Sequence, residues 1–187
     1  MIRVLNVISD TNIGGAGKVL LNYVKHRDRS RFDISVALPE NSMLEEPLRS
    51  LGVPVYEVAA MADRSYDRQA VGLLKDLIRR LDPDIVHTHG SLSGRIAARA
   101  CGRKIVYTRH CAFPVKSYMK RGPGRWANRL FNQHYADRVI AVGEAARENL
   151  VESGISGKYI DMMMNGSEQI VLPPREERDR LRKEWGF

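Results

Sequence analysis

Short apolar runs alternate with longer amphipathic stretches along almost the whole chain of 187 residues. The apolar runs are rich in Val and Ile and lack a clean in-and-out alternation, which is typical of strands buried on both faces of a sheet. They predict strands at residues 2–8, 34–38, 55–58, 85–88, 104–108, 138–142 and, more weakly, 159–164. The amphipathic stretches predict helices near residues 16–26, 42–51, 67–81, 93–101, 124–136 and 144–153.

This alternation predicts an α/β fold with a doubly wound, mostly parallel, Rossmann-like sheet, because strands joined by helices run parallel with right-handed crossovers. Gly52 and Gly154 follow two of the predicted helices, as residues that end helices commonly do. The pattern changes after Gly166, where two prolines precede a densely charged run in "QIVLPPREERDRLRKEWGF". We therefore expect one domain over 1–166 and a different kind of segment over 167–187.

Ligands of open parallel sheets bind beyond the carboxyl ends of the strands, so the residues that follow each strand are candidates for function. The first strand runs into "SDTNIGGAGK", a loop with several glycines before a helix. Gly14 and Gly15 would let a ligand approach the free N–H groups and the dipole of the helix, and Lys18 adds a positive charge. The loop has neither the dinucleotide-binding spacing nor the P-loop lysine, so a simple tight turn remains an alternative.

Three of the five histidines follow or end two neighbouring predicted strands. His110 comes after "VYT" and before a loop, where a side chain is held rigidly yet exposed, and it is the strongest candidate. His89, at the end of its strand, is a better candidate than His87 for lining a ligand cleft, and His87 is expected in the core. The "HTH" spacing with Cys111 suggests a metal cluster, but no carboxylate is placed to complete or orient one, so we predict no metal site.

Composition favours one well-cored domain, with 43% hydrophobic and 28% charged residues. The apolar runs are too short for a membrane-spanning helix, and the N-terminus lacks the order of a secretory signal. Cys101 and Cys111 do not form a C-x-x-C pair, so we expect a cytoplasmic protein. The net charge of +8 favours an anionic partner.

The most basic segment is also aromatic. In "VKSYMKRGPGRWANRLF", lysines and arginines at 116, 120, 121, 125 and 129 alternate with large apolar side chains. The segment is either a solvated helix packed on the sheet, or a surface that meets acidic lipid head groups or an anionic acceptor. No nucleic-acid-binding module is recognisable, so nucleic acid is not among the predicted partners.

Five segments, in this order, resemble the N-terminal half of the family 4 glycosyltransferases, which have the two-domain GT-B architecture. They are "GGAGKVLLNYV", "PDIVHTHG", "IVYTRH", "ADRVIAVGEAARENLVESGI" and "MMMNGSEQIVLPP". The resemblance implies a retaining hexosyltransferase that moves a sugar from a nucleotide-diphosphate sugar, a substrate rather than a cofactor, to an acceptor. In such enzymes a second domain binds most of the donor. Residues 1–166 would then be the acceptor-side domain, and 167–187 the interdomain linker and the start of the missing domain.

The resemblance also implies roles for individual residues. His110 would contact the donor sugar near the reacting carbon, as the catalytic residue. The donor diphosphate would approach Gly14, Gly15 and Lys18, and the acceptor side would be lined by His89, Arg109, Lys116, Lys120 and Arg121. The basic segment around residues 116–129, rather than the resemblance, favours a cell-envelope glycan or a lipid-linked acceptor and contact with the inner face of the membrane.

The sequence departs from the family pattern at Gly17 and Gly143, where Glu and Ser are usual. The linker likewise reads "NGSEQ" and lacks the usual Asp after Asn-Gly. This chain alone is expected to be inactive. The alternative function is a stand-alone module that binds a sugar or a phosphate without catalysis.

Overall fold

The computed structural model describes residues 1–166 and 172–187 and contains one seven-stranded sheet in the order β3-β2-β1-β4-β5-β6-β7. Every neighbouring pair of these strands is parallel. The strands are β1 (Ile2–Ile8), β2 (Phe32–Pro39), β3 (Val55–Val58), β4 (Ile85–His89), β5 (Lys104–Arg109), β6 (Arg138–Ala141) and β7 (Ile160–Met162). The helices are α1 (Gly15–Lys25), α2 (Glu45–Ser50), α3 (Arg68–Leu81), α4 (Leu92–Ala100), α5 (Ser117–Lys120), α6 (Gly122–His134), α7 (Glu144–Glu152) and α8 (Arg175–Glu184).

The predicted doubly wound, parallel sheet is confirmed. The strand order turns between β1 and β4, and the crevice at such a switch point is where open α/β sheets bind ligands. Within residues 1–166, two helical pieces were not predicted, the single turn of α5 and a 3-10 turn at Gly157–Tyr159. Helix α6 begins at Gly122 rather than at 124, because Pro123 fits the first turn of a helix, where its missing N–H is not needed.

The sheet separates two hydrophobic cores around β1. Leu5 and Val7 pack with α3 and α4 on one face, whereas Val4 and Ile8 pack with α1 and α2 on the other. Asn6 lies on the α1 face between Val4 and Ile8, since side chains of a strand alternate between faces. By the same alternation, His87 and His89 of β4 share this α1 face. A third, smaller core joins β6, β7 and α7.

The departure from the family pattern at Gly17 has a packing reason. Gly17 is buried in α1, and a Cβ atom at this position would lie 3.0 Å from Leu44 Cδ2. A larger side chain would have to displace Leu44, which is fully buried in the core next to β2. The glycine therefore lets α1 approach the residues just before α2.

The C-terminal segment differs from the rest of the chain. Residues 167–171, the first part of the expected linker with its "SEQ", lie outside the described residues. Helix α8 follows Pro174 and buries none of its residues, which agrees with a solvated helix. Across the residues that the structure describes, no helix combines the length and the apolarity needed to cross a membrane.

Candidate functional site

A cavity of about 560 Å³ lies at the carboxyl edge of the sheet. Residues after β1, β4 and β5 line it together with side chains from α6 and α7. The lining includes Asp10, Ala16 at the start of α1, His89, His110 and Lys116. Ala16, in the first turn of α1, and the histidine after β5 therefore border the same cavity, whereas Gly14, Gly15 and Lys18 are not among the described residues that line it.

The start of α1 is bare. Gly14 is the N-cap residue, no side chain of the described residues caps the helix, and its first turn carries no acidic residue. Gly14, Gly15 and Lys18 are exposed, and a Cβ atom at either glycine would meet nothing within 4 Å. Both glycines therefore leave open space in front of a helix terminus, where backbone N–H groups favour an anion.

His110 forms part of the cavity wall and is tied to a second histidine. Its Nε2 atom lies 2.9 Å from Nδ1 of His89, and the two rings stack with centroids 5.2 Å apart. Burial lowers the pKa of His110 below its ordinary value, so the ring is neutral at pH 7. Its Nδ1 atom is buried and has no hydrogen-bond partner among the described residues.

The structure corrects the role expected for His89. Only 4% of the residue is exposed, because the ring lies between the sheet and the edge cavity. Its Nδ1 is engaged by His110, and its Nε2 lies 3.2 Å from Oδ1 of Asn6, so neither ring nitrogen remains for an acceptor. Burial, and then the neighbouring His87 and His110, hold the pKa of His89 well below the ordinary value.

His87 is not the core residue that the sequence suggested. Its ring is only partly buried and borders a second, mostly apolar cavity of about 570 Å³ on the α1 face. Nε2 of His87 lies 2.7 Å from the Thr108 hydroxyl. Removal from water, with a smaller contribution from His110, lowers the pKa of His87 to about 4.

Arg109 is largely committed to contacts within the protein. Its Nε donates to the Cys111 carbonyl at 2.9 Å, Nη1 to the Tyr107 hydroxyl at 3.2 Å and Nη2 to the Asn149 side-chain oxygen at 3.0 Å. Three of the roughly five N–H donors of the guanidinium are thus used. Arg109 borders the cavity, but its contacts fix the loop after β5 and leave fewer donors for an acceptor than expected.

The three basic residues predicted for the acceptor side occupy different environments. Lys116 is exposed and lines the edge cavity. Lys120 forms an ion pair with Glu152 Oε1 at 2.8 Å, which offsets its charge. Arg121 is exposed and serves as the N-cap residue of α6. Lys120 and Arg121 do not line this cavity, whose lining is drawn from the described ranges alone.

Asp10 and Asn149 are among the cavity residues that were not singled out from the sequence. Asp10 follows β1 and is half-buried, and partial burial together with the nearby Asp63 raises the pKa of its carboxyl group. The rule that strand-end polar residues gather at one edge would have found Asp10. Asn149 reaches the cavity from α7, far along the chain, and nothing in its local sequence marks it. Within 1–166 and 172–187, no cluster of three or more His, Cys, Asp and Glu side chains has the arrangement of a metal site.

The parallel sheet with helices on both faces and a switch point between β1 and β4 defines a Rossmann-like α/β domain. Residues 13–168 match the sequence model of Glycosyltransferase Family 4. Because this match covers most of the chain, the protein belongs to glycosyltransferase family 4. No curated protein matches the chain.

Solved structures extend the comparison to the fold. HepE from Anabaena in complex with UDP and glucose is 20% identical with a TM-score of 0.74, and the match covers 100% of this chain and 50% of that chain. A glycosyltransferase from Rickettsia africae is 16% identical with a TM-score of 0.76, covering 99% and 49%. UDP-GlcNAc 2-epimerase from Neisseria meningitidis, bound to UDP-GlcNAc, is 15% identical with a TM-score of 0.59, covering 89% and 47%.

These likenesses confirm that the fold is one half of a GT-B architecture. The chain spans about half the length of the structures that it matches. This coverage agrees with the expectation of an N-terminal domain of a family 4 glycosyltransferase.

Proposed function

We propose that the chain is the acceptor-side domain, at residues 1–166, of a retaining transferase that moves a hexosyl group from a nucleotide-diphosphate sugar to an acceptor hydroxyl. Residues 167–187 would link it to the donor-binding domain. The observation that carries the proposal is the edge cavity, which is lined by His110 and by Ala16, the residue after Gly14 and Gly15 in the first turn of α1. Structural neighbours crystallised with UDP or UDP-GlcNAc support a nucleotide sugar as the donor.

In this proposal the donor diphosphate approaches Gly14 and Gly15 from the opposite domain. The open space at both positions allows close approach, and the helix dipole and Lys18 provide positive potential. The nucleotide sugar is a substrate, and the proposed transfer uses no further cofactor.

His110 acts in the proposal as a neutral catalytic contact to the donor sugar rather than as a charged acid. Burial lowers its pKa, so it brings no positive charge at neutral pH. Transition-state charge would be stabilised by positioning and by fixed dipoles, including the N–H groups at the start of α1. Asp10, with its raised pKa, lies in the same cavity and would face hydroxyl groups of the acceptor.

The acceptor is proposed to be a glycan or a lipid-linked molecule at an acidic membrane. The basic aromatic surface, defined as residues 116–131 in and around α5 and α6, buries none of its residues. Trp126 is 64% exposed and Tyr118 is 59% exposed, next to Arg121 and Arg125. Aromatic and cationic side chains together are typical of a surface that meets lipid head groups, and this surface adjoins the edge cavity through Lys116.

The first experiment measures transfer of labelled sugar from a panel of UDP- and GDP-sugars by the polypeptide of the complete gene, with membrane extract as acceptor. We expect His110→Ala to lower turnover at least ~10²-fold, in the range of a lost positioning contact. His134→Ala, at an exposed position of α6, is the control with unchanged turnover. The 187-residue chain alone should not transfer sugar.

Two outcomes would refute this function. Unchanged turnover of His110→Ala would remove the histidine from the reaction. If the complete gene product lacks a second domain, and binds a sugar or a phosphate but does not transfer it, the stand-alone module would be favoured.

The second experiment tests the membrane surface by sedimentation with vesicles of phosphatidylglycerol and phosphatidylcholine at low salt. Binding should be lost in Arg121→Glu combined with Arg125→Glu. The matched control, Arg180→Glu with Arg182→Glu on α8, makes the same charge change elsewhere and should still sediment. Equal loss in both variants would show attraction by net charge alone, and failure of the unaltered chain to sediment would exclude the membrane surface.

A further inference from the structure

Three buried or half-buried polar groups form one hydrogen-bonded chain beneath the edge cavity. Oδ1 of Asn6 lies 3.2 Å from Nε2 of His89, and Nδ1 of His89 lies 2.9 Å from Nε2 of His110. Asn6 and His89 are 0% and 4% exposed. The parallel pairing of β1 with β4, and of β4 with β5, brings the three residues together from distant parts of the sequence.

The direction of the protons along this chain follows from the chemistry of its members. A neutral imidazole has one N–H donor and one lone-pair acceptor, and an amide oxygen only accepts. With the Asn6 amide oriented as in this structure, Oδ1 faces His89, so His89 carries its proton on Nε2 and its Nδ1 is an acceptor. His110 must then donate from Nε2, which leaves a lone pair on Nδ1.

Both histidines are neutral, as this proton count requires. Burial lowers the pKa of each ring below the ordinary value, and the effect is larger for His89. At pH 7 neither ring carries the second proton that would erase the direction of the chain.

The two possible directions differ at both ends of the chain. In the present direction Nδ1 of His110 is a buried lone pair and Nδ2 of Asn6 a buried donor, both without a partner among the described residues. The opposite direction would place an N–H on Nδ1 of His110 and turn the Asn6 amide around. A single measurement at His110 therefore distinguishes the two.

We propose that Asn6 and His89 are positioning residues that hold His110 with its proton on Nε2, so that the nitrogen left for a ligand is a hydrogen-bond acceptor. The partner of His110 is then a hydroxyl group, and an unprotonated phosphate oxygen is rejected because it also only accepts. Naming a sugar hydroxyl rests on the proposed transferase function. Nδ1 is shielded in the structure, so a hydroxyl reaches it only with a local shift of the ring or its surroundings.

His87 provides the matched control. Its ring packs on His89 with centroids 4.5 Å apart, but its Nε2 is paired with Thr108, and it takes no part in the chain from Asn6 to His110. A change at His87 disturbs the packing of His89 without removing a hydrogen bond from the chain.

The test is the tautomer of each histidine, read from two-bond ¹H–¹⁵N correlations of the 187-residue chain labelled at the imidazole nitrogens. We expect His89 and His110 each to carry one proton, on Nε2, at pH 7.5. A proton on Nδ1 of His110, or an equal mixture of its two tautomers, would overturn the proposal without any reference to enzyme activity.

Variants separate positioning from folding, with amide dispersion as the check on the fold. Asn6→Leu should turn His110 into a mixture of tautomers, whereas His87→Phe should leave it unchanged. His89→Asn, whose side-chain oxygen can still accept from Nε2 of His110, should retain the tautomer, and His89→Leu should lose it. If Asn6→Leu does not fold, the two His89 variants decide, and identical tautomers in both would overturn the proposal.

Activity gives an independent readout in the complete enzyme. Asn6→Leu should lower kcat about tenfold with little change in KM, as for one lost neutral hydrogen bond, and His89→Asn should restore most of the rate relative to His89→Leu. If the tautomers are as expected but even His110→Ala keeps full turnover, the proposed function fails and the proton arrangement stands.

Discussion

Two helices that begin at the same edge of the sheet, α1 after β1 and α4 after β4, start in opposite ways. The start of α4 is completed from within the protein, because the buried Ser91 hydroxyl accepts a hydrogen bond from the Gly94 N–H at 3.1 Å. The start of α1 has Gly14 at the same position, and no side chain in the described part of the chain caps it. Adjacent strands thus lead into two different helix starts. The start of α4 is capped by a side chain, and we call it the closed start; the start of α1 is uncapped, and we call it the open start.

The difference separates what the fold needs from what a ligand needs. Ser91 is 0% exposed, so the N–H groups near it cannot rely on water and require a protein acceptor. Gly14 and Gly15 are exposed, so water can satisfy the first N–H groups of α1, and a ligand can replace that water. Helix α7 also begins at an uncapped glycine, Gly143, but Glu144 places an acidic residue in its first turn.

The largest expected effect is at the open start. Gly14→Val fills space that is empty in the structure, and the poorer N-cap should cost about 1 kcal/mol at most, so the chain should still fold. In the complete enzyme the same side chain would hold the donor away from α1, and kcat/KM should fall about 10²-fold, as for a reactant displaced by about 1 Å. Gly14→Ala should give a smaller loss. Full activity of the valine variant would contradict the role of the open start.

The next effect is a pH dependence of the free energy of unfolding. It comes from the histidines of β4, which titrate, whereas the Ser91 hydroxyl that caps α4 does not. The pKa of His87 is lowered to about 4, so below about pH 6.5 the unfolded chain binds a proton that the folded chain does not. The stability that neutral His87 provides is complete above pH 6.5 and decreases as the pH falls toward 4. Its slope is about 1.4 kcal/mol per pH unit for this one group.

Urea unfolding of the 187-residue chain between pH 7.5 and 4.5 measures this slope. His87→Leu should remove the contribution of one proton, about 1.4 kcal/mol per pH unit, from the slope. This holds whatever the effect of the substitution on stability at pH 7.5. Equal slopes for the two proteins would show that His87 is protonated in the folded chain.

The smallest effect is at the closed start. Ser91→Ala removes the acceptor of the Gly94 N–H and should lower the free energy of unfolding by about 1 kcal/mol, while Ser91→Gly should cost only a few tenths. Chemical denaturation measures both. Transfer by the complete enzyme should change little, and a loss as large as that of Gly14→Val would remove the distinction between the two helix starts.

Much of the fold followed from local pattern. The Val- and Ile-rich runs located the strands, and the spacing of His87 and His89 placed both rings on one face, because side chains of a strand alternate. The position of His110 just after a strand placed it at the ligand-binding edge. These are properties of single segments, so they can be read without knowing the neighbouring strands.

The contacts of the site could not be read in this way. The bond from His89 to Asn6 joins residues 83 positions apart, and it exists only in the observed register of β1 and β4. Arg109 was expected to face an acceptor, but Asn149 and the Tyr107 hydroxyl hold it, and neither is marked by its own sequence. Burial of His89 likewise depends on how α1 covers the sheet, which periodicity does not reveal.

His89 and Thr108 line both the edge cavity and the apolar cavity on the α1 face. A molecule in either space would therefore meet the same two residues. We expect shortening of His89 to alanine to enlarge both spaces at once.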